Sequence, residues 1–462
     1  MDLRRFLLAL LLGLVVPLGA SAAPACHVVG STSTGTGSGA DFNNIKSLSV
    51  QSTTGWVRGD TYYFVAGKYS ASLGLDTASN GAIVISILRA TNTNHGTAFT
   101  PSCGAGYNDT AMGQPAGPDI FPSAHTSTRY WIIDGAYHPS SWETNGATTG
   151  GYGFFIDNSN NCASLTCWLF SISNSEDGSF ITVKNMEMNG HGRAGIVPTP
   201  VHVDDFIRAV YNGSNLTFQY LYLHDSSSTF FKLRGYASVT IDHVWMSRNA
   251  ASPAAHSEAL SLQSTDNLTI SFSIFQETEG TAAVVWLNAG GPTTSSNINI
   301  YGNIFYNGNG WGNGVLSCIN GNGINGLNFF NNTIANTKKG LSTRLQFADD
   351  AADCGLGVTG VVARNNLWYN TVDSSHSGRI TLSNNSYLRS PTNDRGPKVT
   401  IVPRASNPFV HSAGAVPTDF KLNSNTNVSP WFNTNAIVPG TAMDLLGTNR
   451  ALSRGALEFV GR

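Results

Sequence analysis

Charge is the scarcest commodity in this chain. Only 12% of its 462 residues are Asp, Glu, Lys or Arg, about half the share of an ordinary soluble domain. The 26 basic and 28 acidic residues nearly cancel, at a formal net charge of −2. That balance excludes a bulk electrostatic partner, so neither nucleic acid nor an anionic membrane surface is expected to bind. No long apolar run follows the first two dozen residues, which argues against a membrane-spanning helix. Sustained 3.6-residue periodicity is also missing, so helices are expected to be minor. The six cysteines show neither a CxxC pair nor zinc spacing with histidine, which favours structural disulfides over a metal site.

What the chain has in abundance is glycine, at 49 residues, together with Asn, Ser and Thr, set in a 41% hydrophobic background. That hydrophobic share excludes a disordered chain. At the N-terminus, Arg4 and Arg5 precede an apolar run from Phe6 to Leu18, and Ala20-Ser21-Ala22 supplies small residues for cleavage. Residues 1–22 therefore read as a secretory signal, with the mature protein, residues 23–462, working outside the cytoplasm. Among the cysteines, Cys162 with Cys167 encloses a short loop and Cys318 with Cys354 joins neighbouring repeats. Cys26 with Cys103 is then left by elimination, out of fifteen connectivities open to six cysteines.

A short strand signal recurs as NLTF at 215–218, SVTI at 238–241, NLTI at 267–270, NINI at 297–300 and GLNF at 326–329, with starts 23, 29, 30 and 29 residues apart. Each is followed by a second strand-like run: FFKLRG at 230–235, EALSLQ at 258–263, AVVWLN at 283–288, VLSCIN at 315–320 and LSTRLQ at 341–346. Alternation of apolar and polar residues marks half-buried strands. A period of 20–30 residues means a stacked solenoid whose coils bury their apolar faces on one another. Asn tolerates the left-handed backbone of the corners and can stack with its equivalents in adjacent coils. The expected fold is all-β: one right-handed parallel β-helix domain, monomeric, with long loops near 95–155 and a closing strand near 455–460.

Three passages carry a resemblance to a known family. GWVRGDTYYFVAGKY at 55–69 looks like the opening of secreted β-helix polysaccharide lyases, and RALSRGALEF at 450–459 resembles their closing strand. VTIDHVWMS at 239–247, followed by HSEALSLQSTDNLTISFSIF at 256–275, resembles the pectate lyase superfamily, where a WIDH strand precedes an aspartate-bearing coil. The resemblance implies the fold and a polysaccharide substrate. It does not carry over the family's site. Ser257 and Ser261, beside Glu258, stand where calcium-holding aspartates are expected, and NTKKGLSTRLQF at 336–347 keeps Arg344 but not the family's arginine pattern. NGHGRAG at 189–195 holds a Gly-His-Gly phrase also found in polygalacturonases, without their other motifs. His191 therefore reads as a loop residue.

If Phe231 and Leu233 point inward, alternation sends Lys232 and Arg234 outward. Aligning the coils adds Arg208, Ser261, Gln263, Trp286, Asn288, Arg344 and Gln346 to one outer sheet. Cations pair with carboxylates, the indole stacks on a sugar face and the amides bind hydroxyls, so this face suits an anionic polysaccharide. β-Elimination on a uronate requires a base for the α proton and a cation on the carboxylate. Lys232 serves as base if Arg208 and Arg234 depress its pKa; Arg234 neutralises the carboxylate, and His256 or His224 protonates the leaving oxygen. Glu258, beginning the next strand, is a further catalytic candidate. A glycoside hydrolase using Glu258 with Glu277 or Glu279 is the second reading, and a non-catalytic glycan-binding or adhesion solenoid the third. Oxygen ligands from several loops suit calcium, with Glu277 and Glu279 as candidates, although no closed calcium motif is present.

Overall fold

The computed structural model describes residues 23–108, 119–157, 168–173, 178–191, 205–249, 257–278, 283–287, 293–308, 314–318, 321–335, 343–347, 354, 357–397, 399–402, 409 and 417–420. Within these, all the pairings between strands are parallel, and they gather into one sheet of ten strands and one of twenty-one. A typical coil takes one strand from the small sheet and two from the large one. Val285–Leu287, Ser295–Tyr301 and Ile304–Tyr306 make one such turn, and Leu316–Cys318, Ile324–Phe330 and Thr333–Ala335 make the next. The chain is a parallel β-helix, wound in the right-handed sense that parallel crossovers take.

Alternation explains why each segment is a strand. Val239, Leu268, Ile298, Leu327 and Val361 fall at one register position in successive coils, and all are buried. Phe275 and Phe305 stack one coil apart, with ring centroids 4.3 Å from each other. Each coil thus lays its apolar side chains on the matching ones of its neighbour, and the core is one continuous column.

The corners obey a second rule. Asn185, Tyr220, His243, Phe272, Gly302, Asn331, Asn365 and Asn384 turn the same bend in successive coils, all with left-handed backbone between φ +48° and +68°. Just past this bend, Asn303, Asn332, Asn366 and Asn385 form a buried ladder. The Nδ2 of Asn303, Asn332 and Asn366 each donates to the next Oδ1 at 3.0–3.1 Å, and all four donate to a backbone carbonyl of an adjoining coil. The side chains thereby satisfy peptide groups that a corner takes out of the sheet.

Disulfides join Cys26 to Cys103 and Cys318 to Cys354; Cys162 and Cys167 lie outside the described residues, as do residues 1–22 and 450–459. The stretch near 95–155 departs from the expected loops. Ala124–Thr126 belongs to the ten-stranded sheet, and Asp119–Phe121, Trp131–Asp134 and Phe154–Asp157 belong to the larger one. These strands are only three or four residues long, too brief for alternation to show in the sequence. No helix among the described residues is long and apolar enough to cross a membrane.

Candidate functional site on the outer face of the ten-stranded sheet

The strands of the small sheet are numbered here in chain order: β1 (Leu73–Leu75), β2 (Ala124–Thr126), β3 (Trp168–Ile172), β4 (Asp205–Ala209), β5 (Thr229–Arg234), β6 (Leu260–Gln263), β7 (Val285–Leu287), β8 (Leu316–Cys318), β9 (Leu345–Phe347) and β10 (Ser377–Gly378). Phe170, Ile207, Phe231, Leu260, Val285, Leu316 and Leu345 share one inward position across β3 to β9. One residue further on, the side chains point away from the core, with Ser261 and Ser317 covered. That outer row reads Gly74, His125, Ser171, Arg208, Lys232, Ser261, Trp286, Ser317, Gln346 and Ser377. Neighbouring strands lie about 4.8 Å apart, so the row forms a straight line of side chains along the solenoid axis.

The predicted register of Arg208, Lys232, Ser261 and Trp286 is therefore the observed one, and Arg234 pairs with Gln263 in the next outward position. Arg234 is exposed at the end of β5. Arg344 is displaced: it precedes β9, and its Nη2 lies 3.4 Å from Asp373 Oδ2. Gln346 takes the place in the row. Glu258 is buried, at 0% exposure, ahead of β6. A carboxyl group so enclosed does not face an open cleft. His256, Glu279 and Asn288 lie outside the described residues.

Asp205 and Trp168 complete the site, and sequence reasoning missed both. Asp205 is 1% exposed and accepts a hydrogen bond from Arg208 Nη1 at 2.8 Å; Lys232 Nζ lies 3.6 Å from the same Oδ2. The Arg208 guanidinium also lies 4.7 Å from the centroid of the Trp168 ring, within cation–π range. Arg208 is thus held between a buried carboxylate and an indole. Its neighbours on β4 include Asp205 itself, three positions earlier on the same strand. Asp205 thus stands beside Lys232 together with the expected Arg208, a carboxylate the sequence reading had not placed there. The signal for Trp168 was its place two residues before Phe170, which only the strand pairing reveals.

A second charged cluster lies on the outside of the larger sheet. His224 Nε2 is 3.0 Å from Glu187 Oε1, and His224 Nδ1 is 2.7 Å from Asp225 Oδ2. Arg248 reaches Asp225 through Nε at 2.7 Å and Nη2 at 2.8 Å. Glu187 Oε2 accepts the Gly150 N–H at 2.6 Å. The two carboxylates hold the His224 pKa above its ordinary value against the opposing effect of burial, and hydrogen bonds from Arg248 and His224 hold the Asp225 carboxyl well below the usual range. With His224 only 2% exposed and Glu187 fully enclosed, this cluster is an anchor for the segment 136–153 rather than an open site. His224 is accordingly not placed to protonate a leaving group.

Among the described residues no three His, Cys, Asp or Glu side chains gather as a cation site.

No family model matches this sequence, and no curated protein matches it. Several solved structures do. A structure titled "Crystal structure of pectate lyase Pel9A" is 13% identical, with 95% of this chain and 98% of that chain covered at a TM-score of 0.49. A rhamnogalacturonan lyase is 11% identical, with 88% and 99% covered at a TM-score of 0.48. A polygalacturonase from Erwinia carotovora ssp. carotovora is 11% identical, with 84% and 98% covered at a TM-score of 0.38. At these values the likeness carries no argument about the reaction. The β-helix stands on the chain's own strand pairing.

Proposed function

We propose that this protein binds an anionic, uronate-containing polysaccharide along the outer face of the ten-stranded sheet and cleaves it by β-elimination outside the cytoplasm. The observation that carries the reading is the outer row itself. In a chain with so few charges, two cations stand side by side at Arg208 and Lys232, a third at Arg234, and indoles lie nearby at Trp168 and Trp286. Cations on the sugar carboxylate lower the cost of the negative charge that develops when the α proton leaves. Arg208 and Arg234 supply that neutralisation. Lys232, between Arg208 and Ser261 on the row, is assigned the α proton; its ammonium is paired with Asp205 at 3.6 Å, so it must first give up its own proton, and it returns the one it takes to the glycosidic oxygen as the C–O bond breaks. Gln263 binds hydroxyls, and the Trp286 ring stacks on a sugar face.

The test is an ultraviolet assay for unsaturated uronate ends, with polygalacturonate, alginate and glycosaminoglycans as substrates, each with and without calcium. Absorbance is expected to grow with at least one of them. Lys232→Ala is expected to lower the rate by about a hundredfold or more, the scale of a lost proton-transfer group. New reducing ends without that absorbance would replace elimination with hydrolysis. Binding without either product would leave a glycan-binding solenoid.

A further inference from the structure

The outer row does not end at Arg208. Two strands earlier it holds His125, with Ser171 between them. At about 4.8 Å per strand, His125 lies roughly 10 Å from Arg208 and about 24 Å from Trp286 along one straight line. Its side chain is 46% exposed, and its Nε2 is 3.0 Å from Asp76 Oδ2. Asp76 is itself held in place, since its Oδ1 accepts the Ser127 N–H at 3.1 Å and the Ser127 hydroxyl at 2.7 Å. The strand before leaves room for the ring. A Cβ on Gly74 would lie 3.0 Å from His125 Cε1 and 3.1 Å from Nε2. No described residue bonds the other ring nitrogen, Nδ1.

We infer that His125, oriented by Asp76, is an outlying subsite for the same ligand, binding an acidic group on a sugar two or more units from the one held at Arg208 and Lys232. This rests on the reading of the outer row as the glycan site. The ligand class is then a polymer with acidic groups on well-separated sugars, carboxylates or sulfate esters, rather than a mono- or disaccharide. An isolated surface His–Asp pair would stabilise the fold little. Here the pair lies in line with the only other cations of the row, and the residue beneath it has no side chain. Asp76, just after β1, is the charged group hydrogen-bonded to His125, Ser171 is its register neighbour on β3, and the Asp76 hydrogen bond raises the histidine pKa. Imidazolium therefore persists to a higher pH than in a free histidine, and the subsite loses its charge as pH rises through that raised value.

The experiment is calorimetric titration of the full-length mature protein with polygalacturonate and its oligomers, and separately with a sulfated glycosaminoglycan. His125→Gln and Asp76→Asn would be compared with Arg208→Ala. His125→Gln is expected to weaken polymer binding roughly two- to fivefold below about pH 6 and to have little effect well above the raised histidine pKa. Oligomers too short to span from Lys232 to His125 should bind both proteins equally. Asp76→Asn should move the pH dependence to lower pH. Equal affinity of His125→Gln and wild type for the polymer at every pH, while Arg208→Ala loses binding, would overturn the subsite and leave the main site standing. If Arg208→Ala binds as wild type too, the site reading fails with it. Preference for the polyuronate or for the sulfated chain identifies the acidic group.

Discussion

Replacing Asn332 with alanine tests the physical account of the corner ladder. The Asn332 amide donates to Ile300 O at 3.0 Å and to Asn366 Oδ1 at 3.1 Å. Its Oδ1 accepts both the backbone N–H and the Nδ2 of Asn303, each at 3.0 Å. All these groups are buried. Alanine removes four hydrogen bonds at once and takes the partner from the Asn303 N–H and from one Asn303 amide hydrogen; Ile300 stays paired in the sheet with the next coil, and Asn366 Oδ1 still accepts the residue 332 backbone N–H. An orphaned buried polar group costs about 1–3 kcal/mol. Two such groups amount to roughly 2–5 kcal/mol once partial relaxation is allowed, a large part of the 5–15 kcal/mol that holds a typical domain. Because each coil touches only its neighbours, the loss should concentrate in the coils around residues 300–366. Urea unfolding gives the total, and amide hydrogen exchange locates it. A loss below about 1 kcal/mol, or exchange that rises evenly along the solenoid, would refute the ladder as a source of corner stability.

Two further predictions concern pH. His376 is buried, its pKa pushed down to about 4 by burial; its Nδ1 accepts the Leu345 N–H at 3.1 Å, so the neutral ring donates from Nε2 to the Tyr387 hydroxyl at 2.7 Å. The unfolded histidine takes a proton before the folded one does, so stability is full above about pH 6.5 and falls by roughly 3 kcal/mol as pH drops to the folded value. A denaturant midpoint that stays flat across that window would contradict it. His224 behaves in the opposite sense. Its folded pKa is raised, so its contribution is complete below the ordinary histidine value and is lost as pH climbs through the raised one. Glu187→Gln should reduce that alkaline dependence and speed hydrogen exchange in 136–153; unchanged exchange there would refute the anchor.

Much of the solenoid was legible because its coils are similar. The strand signals at 215–329 repeat at nearly constant spacing, and alternation within FFKLRG and EALSLQ is enough to point Lys232 outward and to put Ser261 beside it. Parallel pairing without bulges carries that register from coil to coil, which is why Arg208 and Trp286 also fell on the expected row. Arg344 did not, because the register puts it two positions before the row, where Gln346 stands. Short strands such as Ala124–Thr126 carry too few residues for a pattern, so His125 and its place in the row were invisible.

What the sequence by itself determined is therefore the architecture: periodic apolar residues that must stack, asparagines that can turn left-handed, and a chain too poor in charge to spend any without consequence. The tertiary structure alone decided the company each charge keeps. Asp205 lies 27 residues before Lys232, and Asp76 lies 49 before His125; coils of unequal length bring them together. Spacing along the chain cannot encode such contacts, since the length of the intervening loops is free while the strand-to-strand distance is not.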